Sequence, residues 1–295
     1  MIQTLTIIGV GLIGGSLALA LKEKGAVGTV IGAGRSEDNL KLAQDLGIVD
    51  QWTTSLTDAV QDADVVLIAV PMGAYEQVFQ TIAPALKQGA IVTDAGSTKQ
   101  HAIKAAACLP EHVSFIAAHP LAGTEKSGAG AAFSTLYQNQ LCMITPQEDV
   151  DTDALAVVKA MWQSVGARVL LIPAAEHDAL LAAVSHLPHL AAFALVNAVN
   201  KQKTDDFDPL SFAAGGFKDF TRIASSSPEM WRDIALANHA ELEIQVDKLV
   251  DELQHIKSAL KHQDKAKLTA LFSSAKHARD TWLKERKPKL QKDKS

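Results

Sequence analysis

Polar side chains that could transfer a proton are concentrated in a few short segments of this 295-residue sequence. One segment holds Ser97, another begins at His119, and a third places Ser185, His186 and His189 within one stretch of helical spacing. A neutral imidazole, with an ordinary pKa of about 6.5, is suited to accept a proton near neutrality. The segments therefore predict a general-base site assembled from separate parts of the chain.

A glycine pattern near the N-terminus predicts where a dinucleotide binds. An apolar run leads directly into Gly9-Val10-Gly11-Leu12-Ile13-Gly14, and a helical pattern follows. Gly9 permits a tight turn, Gly11 lets a pyrophosphate approach the backbone, and Gly14 lets helix and strand pack closely. N–H groups at the helix start bind phosphate. A plain glycine turn is the alternative. We predict a nicotinamide dinucleotide held by Gly9, Gly11, Leu12, Ile13 and Gly14, with Val70 and Pro71 at the end of a later strand.

The end of the second predicted strand bears on the choice between NADP and NAD. An acidic residue about 20 residues beyond the fingerprint would bind a free ribose 2′-hydroxyl. The sequence has Gly34 in that place, followed by Arg35 and Ser36, which could hold a 2′-phosphate. NADP is therefore favoured over NAD. The alternative is that Arg35 points to solvent while Glu37 or Asp38 contacts the ribose.

The elements that must position these residues alternate through the first half of the chain. The predicted strands are residues 4–8, 29–31, 65–70, 90–93, 113–118, 140–144 and 168–172, with helical spacing at 16–24, 37–46, 74–86 and 153–165. Such alternation is typical of a mainly parallel sheet with helices on both faces. We predict an α/β fold, in which an N-terminal Rossmann domain with a doubly wound sheet precedes an all-helical C-terminal domain.

The strand patterns stop after Pro173, which sets the predicted domain boundary. We expect residues 1–173 to bind the dinucleotide, 174–283 to bind substrate and dimerise, and 284–295 to form a basic tail. The helix predicted over 175–200 is apolar on nearly every side, so other helices should surround it, including those of a second subunit. A heptad seam from Leu242 to Leu260 favours a homodimer, with packing inside its own domain as the alternative.

Composition excludes several classes of partner. The chain has 28 Lys and Arg against 33 Asp and Glu, a net charge of -5 that offers no general attraction to nucleic acid or anionic lipid. Two cysteines are consistent with a reducing compartment, so we expect a cytoplasmic protein. Glycines break the apolar start of the chain and polar residues interrupt the longest later apolar stretch, so no membrane span is expected. His186 and His189 lack a third ligand at a recognisable spacing, so no metal is expected.

Together these segments resemble the prephenate and arogenate dehydrogenases of tyrosine biosynthesis. The resemblance covers nearly the whole chain and rests on residues 9–16, 94–99, 119–128, 185–189, 215–224 and 230–232. It implies oxidation of a cyclohexadienol, in which a hydride passes to NAD(P), the ring carboxylate leaves as carbon dioxide and the ring becomes aromatic. The product would be 4-hydroxyphenylpyruvate or tyrosine, and the resemblance leaves both substrates open. We expect a monofunctional enzyme.

The resemblance also implies roles for individual residues. His119 matches the catalytic histidine, and Ser97 matches a residue that orients it or bonds the substrate hydroxyl. Arg222 matches the ligand of the substrate carboxylate, and Asp219 could orient it from three residues earlier. The alternatives are a satisfied core histidine at 119 and a structural ion pair between Asp219 and Arg222.

Further residues are implied at the substrate and the site entrance. Ser185, His186 and His189 match a segment that contacts nicotinamide and the substrate side chain, and His189 is the better candidate for that side chain. Glu125 matches a residue near the entrance, and Trp231 either lines the pocket or packs. A β-hydroxyacid dehydrogenase or imine reductase is the alternative enzyme class, and a non-catalytic dinucleotide sensor is a more distant one.

Overall fold

An eight-stranded sheet organises the N-terminal part of this computed structural model, which describes residues 1–124 and 126–286. The strands are β1 (Ile2–Ile8), β2 (Val27–Ala33), β3 (Gln51–Thr53), β4 (Val65–Ile68), β5 (Ile91–Asp94), β6 (Ser114–Pro120), β7 (Leu141–Thr145) and β8 (Arg168–Leu171). Their order is β3-β2-β1-β4-β5-β6-β7-β8, and β6 with β7 is the antiparallel pair among otherwise parallel neighbours. The strand order reverses beside β1, where doubly wound sheets bind ligands.

Twelve α-helices are described along the same residues. They are α1 (Leu12–Glu23), α2 (Glu37–Asp45), α3 (Leu56–Val60), α4 (Tyr75–Ile82), α5 (Lys99–Ala106), α6 (Thr152–Ser164), α7 (Ala174–Leu181), α8 (Leu187–Asn200), α9 (Gly215–Thr221), α10 (Pro228–Ala237), α11 (His239–Lys261) and α12 (Lys265–Arg286). Side chains cap several N-termini. For example, the Asp151 carboxylate accepts from the N–H groups of Asp153 and Ala154 at the start of α6.

Both faces of the sheet are covered, as the alternating pattern predicted. All four residues of β4 are buried, with Val65 and Leu67 in one apolar layer and Val66 and Ile68 in the other. A strand buried on both faces needs helices on both faces. The prediction of a mainly parallel, doubly wound sheet is thus confirmed. Its omissions, β3, α3 and α5, are short elements whose three to eight residues give periodicity little to detect.

One continuous helical segment runs from Ala174 to Asn200, and it contains an irregular turn. A π-helical turn at Ala182–His186 separates α7 from α8, so one extra residue is accommodated within the segment. In α8 only Ala192 is buried within the chain, and Val184 in the π turn is 64% exposed. The predicted helix therefore exists, but much of its apolar surface is not covered by this chain.

The same segment is long and apolar enough to cross a membrane by length and composition alone. However, it carries His177, Asp178 and His186, which are buried and hydrogen-bonded within the chain. These polar contacts favour our expectation that the segment does not span a membrane, because the bilayer core would leave such groups without partners.

The chain divides into two compact units, the first over Met1–Leu242 and the second beginning at Glu243. The first contains every described strand and α1 to α10. Residues 174–242 thus cluster with the sheet, and the limits predicted at 173 and 283 stay predictions. Helix α12 continues to Arg286, so the tail predicted from residue 284 begins inside a helix, and residues 287–295 lie outside the described part.

Candidate active site

The glycine fingerprint forms the turn between β1 and α1. Gly9 has a φ of 97°, which favours glycine, and its N–H donates to the Ala33 carbonyl at 2.8 Å. A Cβ added at Gly14 would lie 2.6 Å from Ile7 Cγ2, so only glycine lets α1 approach β1 this closely. At Gly11, by contrast, an added Cβ meets no described atom within 4 Å, so the backbone is open on that side. The turn fits a pyrophosphate at the start of α1, where Leu12 and Ile13 follow.

Other predicted cofactor residues lie beside this turn. Val70 lies two residues after the end of β4, and its Cγ1 would be 3.0 Å from a Cβ on Gly9, so the two residues are in close contact. Pro71 follows and is exposed. At the end of β2, Gly34 leads to Arg35 and Ser36, both exposed. The structure therefore places these residues where a bound dinucleotide would extend across the strand ends.

A single side chain joins the cofactor turn to two other segments. Asn39 Nδ2 donates to the Val10 carbonyl at 2.8 Å, and Asn39 Oδ1 accepts from the Ala129 N–H at 2.9 Å. Its own N–H donates to Ser36 Oγ at 3.2 Å, which caps α2. The segment after β6 is thus held against the cofactor turn.

A buried ion pair supports the strand ends beneath the predicted catalytic residues. Lys99 Nζ lies 2.5 Å from Asp94 Oδ2 and donates to the Ala118 carbonyl at 2.6 Å, with both charged side chains wholly buried. Asp94 also accepts from Tyr75 Oη at 3.1 Å and from the N–H groups of Gly96 and Ala118. Burial lowers the pKa of Lys99, and the Asp94 carboxylate opposes that shift. This cluster fixes the β5 loop beside β6.

His119 stands near the end of β6 and begins a chain of buried hydrogen bonds. Its Nδ1 lies 2.9 Å from His177 Nε2, and His177 Nδ1 lies 2.8 Å from Asp178 Oδ1. Asp178 also accepts from the N–H groups of Lys99 and Gln100 at the start of α5, at 2.7 and 2.9 Å. Burial alone would raise the pKa of Asp178, but these bonds hold it below its ordinary value.

The partners along this chain fix the position of each proton. An ionised Asp178 can only accept, so His177 Nδ1 carries a hydrogen and a neutral His177 has a free lone pair on Nε2. That lone pair accepts from His119 Nδ1, which leaves His119 Nε2 as an acceptor. Burial lowers the pKa of His119 well below 6.5, and electrostatic interactions with His177, Lys99 and His186 lower it further. His119 is therefore a neutral base near neutrality.

Predicted substrate residues meet around Trp231. The His189 ring stacks on Trp231 with centroids 3.6 Å apart, and the His186 ring meets its edge at 6.1 Å. His189 Nδ1 bonds the Ser185 carbonyl at 2.9 Å. Burial lowers the pKa of His189, the bond to Ser185 raises it, and the positive charge of Arg222 lowers it. Arg222 begins a 3₁₀ turn that packs against α8, the helix that carries His189. His186 also lies within electrostatic range of His119.

Three predicted residues do not join this arrangement as expected. Ser97 is half-buried, and no side-chain hydrogen bond to His119 is found among the described residues. The idea that Asp219 orients Arg222 is not supported, because both are exposed and no ion pair joins them in the described part of the chain. Helix α9 ends at Thr221 and Arg222 begins a 3₁₀ turn, so the two do not share one α-helical face. Glu125 lies outside the described residues.

Sequence reasoning missed His177, Asp178 and Asn238. His177 and His186 are nine residues apart, which puts them on opposite faces of a regular α-helix, about 180° apart. The π turn reduces that angle to about 80° and brings both histidines to one side. Adjacent His and Asp residues in an otherwise apolar helix were the available signal. Within residues 1–124 and 126–286, no group of three or more His, Cys, Asp or Glu could hold a metal.

A doubly wound sheet with a glycine turn for dinucleotide, and a buried imidazole base at the ends of its strands, define a nicotinamide-dependent dehydrogenase. The model of the prephenate dehydrogenase nucleotide-binding domain matches residues 17–171, and that of the prephenate dehydrogenase dimerization domain matches residues 173–274. The chain belongs to the prephenate dehydrogenase family.

Individual relatives and a solved structure support the assignment to this family. A cyclohexadienyl dehydrogenase of Zymomonas mobilis is 37% identical over 93% of this chain and 94% of its own length. A prephenate dehydrogenase of Bacillus subtilis is 35% identical, over 94% of this chain and 76% of its own length. The structure of Aquifex aeolicus prephenate dehydrogenase with hydroxyphenyl propionate and NAD+ has a TM-score of 0.90 at 34% identity, over 95% of this chain and 98% of that one. The family, the fold class and the enzyme class predicted from the sequence are confirmed.

Proposed function

We propose that the chain oxidises prephenate, arogenate or both, with loss of carbon dioxide. The ring C–H bond at the hydroxyl-bearing carbon breaks, and its electron pair leaves as hydride to the nicotinamide. The hydroxyl proton passes to His119 Nε2 as the ring carbonyl forms. The bond from the ring to its carboxylate then breaks, and the released electron pair, with uptake of one proton, completes an aromatic phenol.

One observation carries this proposal. The hydrogen bonds from His119 through His177 to Asp178 leave a lone pair on His119 Nε2. That lone pair can accept the proton of the substrate hydroxyl. Without the hydrogen bond to His177, either ring nitrogen of a neutral His119 could carry the hydrogen. The same hydrogen bonds would stabilise His119 after it has accepted the proton. The resulting imidazolium would still donate through Nδ1 to His177, which is hydrogen-bonded to the Asp178 carboxylate.

Arg222 is the proposed ligand of the ring carboxylate. A guanidinium can hold a carboxylate by two parallel hydrogen bonds. Arg222 lies near His189, and His189 stacks on Trp231, so the three would define the substrate side of the site. Because a carboxylate held tightly in its charged form resists losing carbon dioxide, Arg222 mainly orients the substrate. Ser97 stays a candidate for the substrate hydroxyl, and Ser185 and His186 for nicotinamide or the side chain.

NADP is the proposed preferred cofactor, although a nicotinamide dinucleotide in general is what the family binds. Arg35 and Ser36 are exposed beside the start of α2, and no acid stands at Gly34. The 2′-phosphate would meet a guanidinium, a hydroxyl and a helix N-terminus. Arg35→Glu should lower kcat/KM for NADP by at least tenfold while changing that for NAD much less; a larger loss with NAD would refute the preference.

A homodimer is the proposed assembly. The dimerization-domain model matches residues 173–274, and apolar side chains in this range are left exposed, among them Val184, Leu253 and Leu260. Sedimentation equilibrium at several concentrations would give the mass of the assembly, and a monomer at micromolar concentration would contradict this proposal.

A cytoplasmic location stays a prediction, supported by the unpaired Cys108 and Cys142.

Initial rates of nicotinamide reduction test the proposal directly. Prephenate and arogenate should each be paired with NAD and with NADP, using wild type and His119→Ala. We expect reduction with at least one substrate, and its loss by about 10²- to 10⁴-fold in His119→Ala. Absence of turnover in every pairing, with folded protein that binds cofactor, would refute the substrate proposal and leave a dinucleotide-binding protein.

A further inference from the structure

His186 is a buried histidine whose two ring nitrogens differ in their surroundings. The residue is 1% exposed, its Nδ1 lies 3.2 Å from Asn238 Nδ2, and its Nε2 has no hydrogen-bond partner among the described residues. Buried polar atoms without partners are uncommon in folded proteins and call for an explanation. Here the orphaned atom belongs to a side chain beside Trp231 and within electrostatic range of His119.

Asn238 determines which nitrogen of His186 carries the proton. Asn238 Nδ2 lies 2.9 Å from the Asp178 carbonyl, an atom that can only accept, so the amide nitrogen and not the amide oxygen must face it. The same nitrogen has a second hydrogen, which points to His186 Nδ1 at 3.2 Å. An amide nitrogen does not accept hydrogen bonds, so His186 Nδ1 must be the acceptor. The remaining proton of the neutral ring is therefore on Nε2.

The charge state of His186 agrees with that assignment. The pKa of His186 is lowered to about 4, mainly by burial and also by His177 and His189, against the opposing effect of Asp178. The ring is neutral at physiological pH and has a single N–H group. That group is a donor with nothing described to receive it.

A second donor lies next to it. Trp231 Nε1, an indole N–H that can only donate, is likewise buried and without a partner among residues 1–124 and 126–286. The two rings are in edge contact, with centroids 6.1 Å apart. Unpaired donors on two contacting rings select for an acceptor oxygen and disfavour an ammonium, which would place donor against donor.

We propose that Asn238 is a positioning residue that fixes His186 as an Nε2–H donor, and that this donor binds a carbonyl or carboxylate oxygen of the bound ligand. The inference rests on the proposed function for the identity of that ligand. Two sources present such an oxygen: the side chain of the substrate and the carboxamide of the nicotinamide. If the oxygen belongs to the substrate side chain, the pair of donors favours the oxo group of prephenate over the ammonium of arogenate.

The proton position can be measured without any turnover. In wild-type protein labelled with ¹⁵N-histidine, two-bond ¹H–¹⁵N correlations report which ring nitrogen is protonated, and His186→Gln identifies the His186 signals among those of the ten histidines. We expect a proton on Nε2 and none on Nδ1. In Asn238→Asp the carboxylate can only accept, so Nδ1 should become protonated. A protonated Nδ1 in the wild type would overturn the inference.

Kinetics and cofactor binding then locate the acceptor. His186→Leu removes the donor, whereas His186→Gln keeps an N–H near the former Nε2. We expect the Leu variant to weaken binding by about 10- to 100-fold and the Gln variant to restore most of it. The weakened quantity is KM for the substrate if the substrate provides the oxygen, and the dissociation constant of the dinucleotide if the carboxamide does. No change in either quantity, or no rescue by Gln, would overturn the inference.

Control variants distinguish a specific role of Asn238 and His186 from a general effect of the substitutions and from failure of the proposed function. Asn200→Asp makes the same chemical change at an exposed position and should leave the His186 signals and both constants unchanged. Asn238→Asp should weaken the same constant as His186→Leu; an unchanged constant would refute the role of Asn238. If Asn238→Asp does not fold, Asn238→Ala should give a mixture of both protonation patterns at His186. Failure of wild type to turn over prephenate and arogenate would refute the proposed function while the proton assignment and cofactor binding stay measurable.

Discussion

Removing His177 tests whether the buried hydrogen bonds that join His119 to Asp178 contribute to catalysis. In His177→Leu the His119 Nδ1–H loses its acceptor, and the imidazolium formed during the reaction loses its link to Asp178. A hydrogen bond to a charged group contributes about 1.5–3 kcal/mol. At about 1.36 kcal/mol for each factor of ten, kcat should fall by about 10- to 150-fold. That loss is smaller than the 10²- to 10⁴-fold expected on removing the base itself.

The assay compares four proteins by the rate of nicotinamide reduction: wild type, His177→Leu, His119→Ala and the double variant. Because His177 acts through His119, the double variant should be no slower than His119→Ala alone. A further loss of tenfold or more in the double variant would refute this reasoning, since it would mean that the two residues act independently.

Two controls distinguish a catalytic effect from a damaged fold. His177→Gln offers an amide oxygen that can accept from His119 Nδ1–H, so it should recover part of the lost kcat. His112→Leu removes a histidine from the exposed turn before β6 and should leave kcat unchanged. Asp178 keeps its bonds from Lys99 and Gln100 in His177→Leu, so the fold should survive, which circular dichroism can verify.

Three further predictions follow from the site. Since the pKa of His119 is held well below 6.5 and the base must be neutral, kcat/KM should stay level as pH falls through 6.5 and decline only below it; a midpoint at or above 6.5 contradicts this. Arg222→Lys should raise KM more than tenfold while kcat changes by only a few-fold, and an equal fall in kcat and kcat/KM would show a transition-state contact instead. Lys99→Met leaves Asp94 buried without its cation, which should lower the free energy of unfolding by about 3–5 kcal/mol, and a loss below about 1 kcal/mol in urea denaturation would argue against an ionised pair.

The fold was largely predictable because its signals are local. The glycine turn after β1 and most strands depend on periodicity and on glycine, which can be read without tertiary information. Strand β3 was missed because it has only three residues and is stabilised by pairing with β2. Burial on both faces of β4 likewise follows from its unbroken apolar sequence.

The candidate site was predictable only in part. His119, His189 and Trp231 lie in segments whose resemblance to a family supplied their roles. His177, Asp178 and Asn238 act through partners distant in sequence, such as the contact of Asn238 with the Asp178 carbonyl 60 residues away. The available local signal, an adjacent His and Asp in an otherwise apolar helix, does not reveal those partners. The expected orientation of Arg222 by Asp219 stays a prediction, since both side chains are exposed and no ion pair between them is described among residues 1–124 and 126–286.

The π turn at Ala182–His186 makes the length of one helix a determinant of the site. If the same residues formed an unbroken α-helix, everything beyond the turn would instead be rotated by about 100°. His186, His189 and the rest of α8 would turn away from His177 and Asp178 although no site residue had been changed. Deleting one residue from the turn would keep the two sides in phase, because eight residues of regular α-helix also separate His177 and His186 by about 80°.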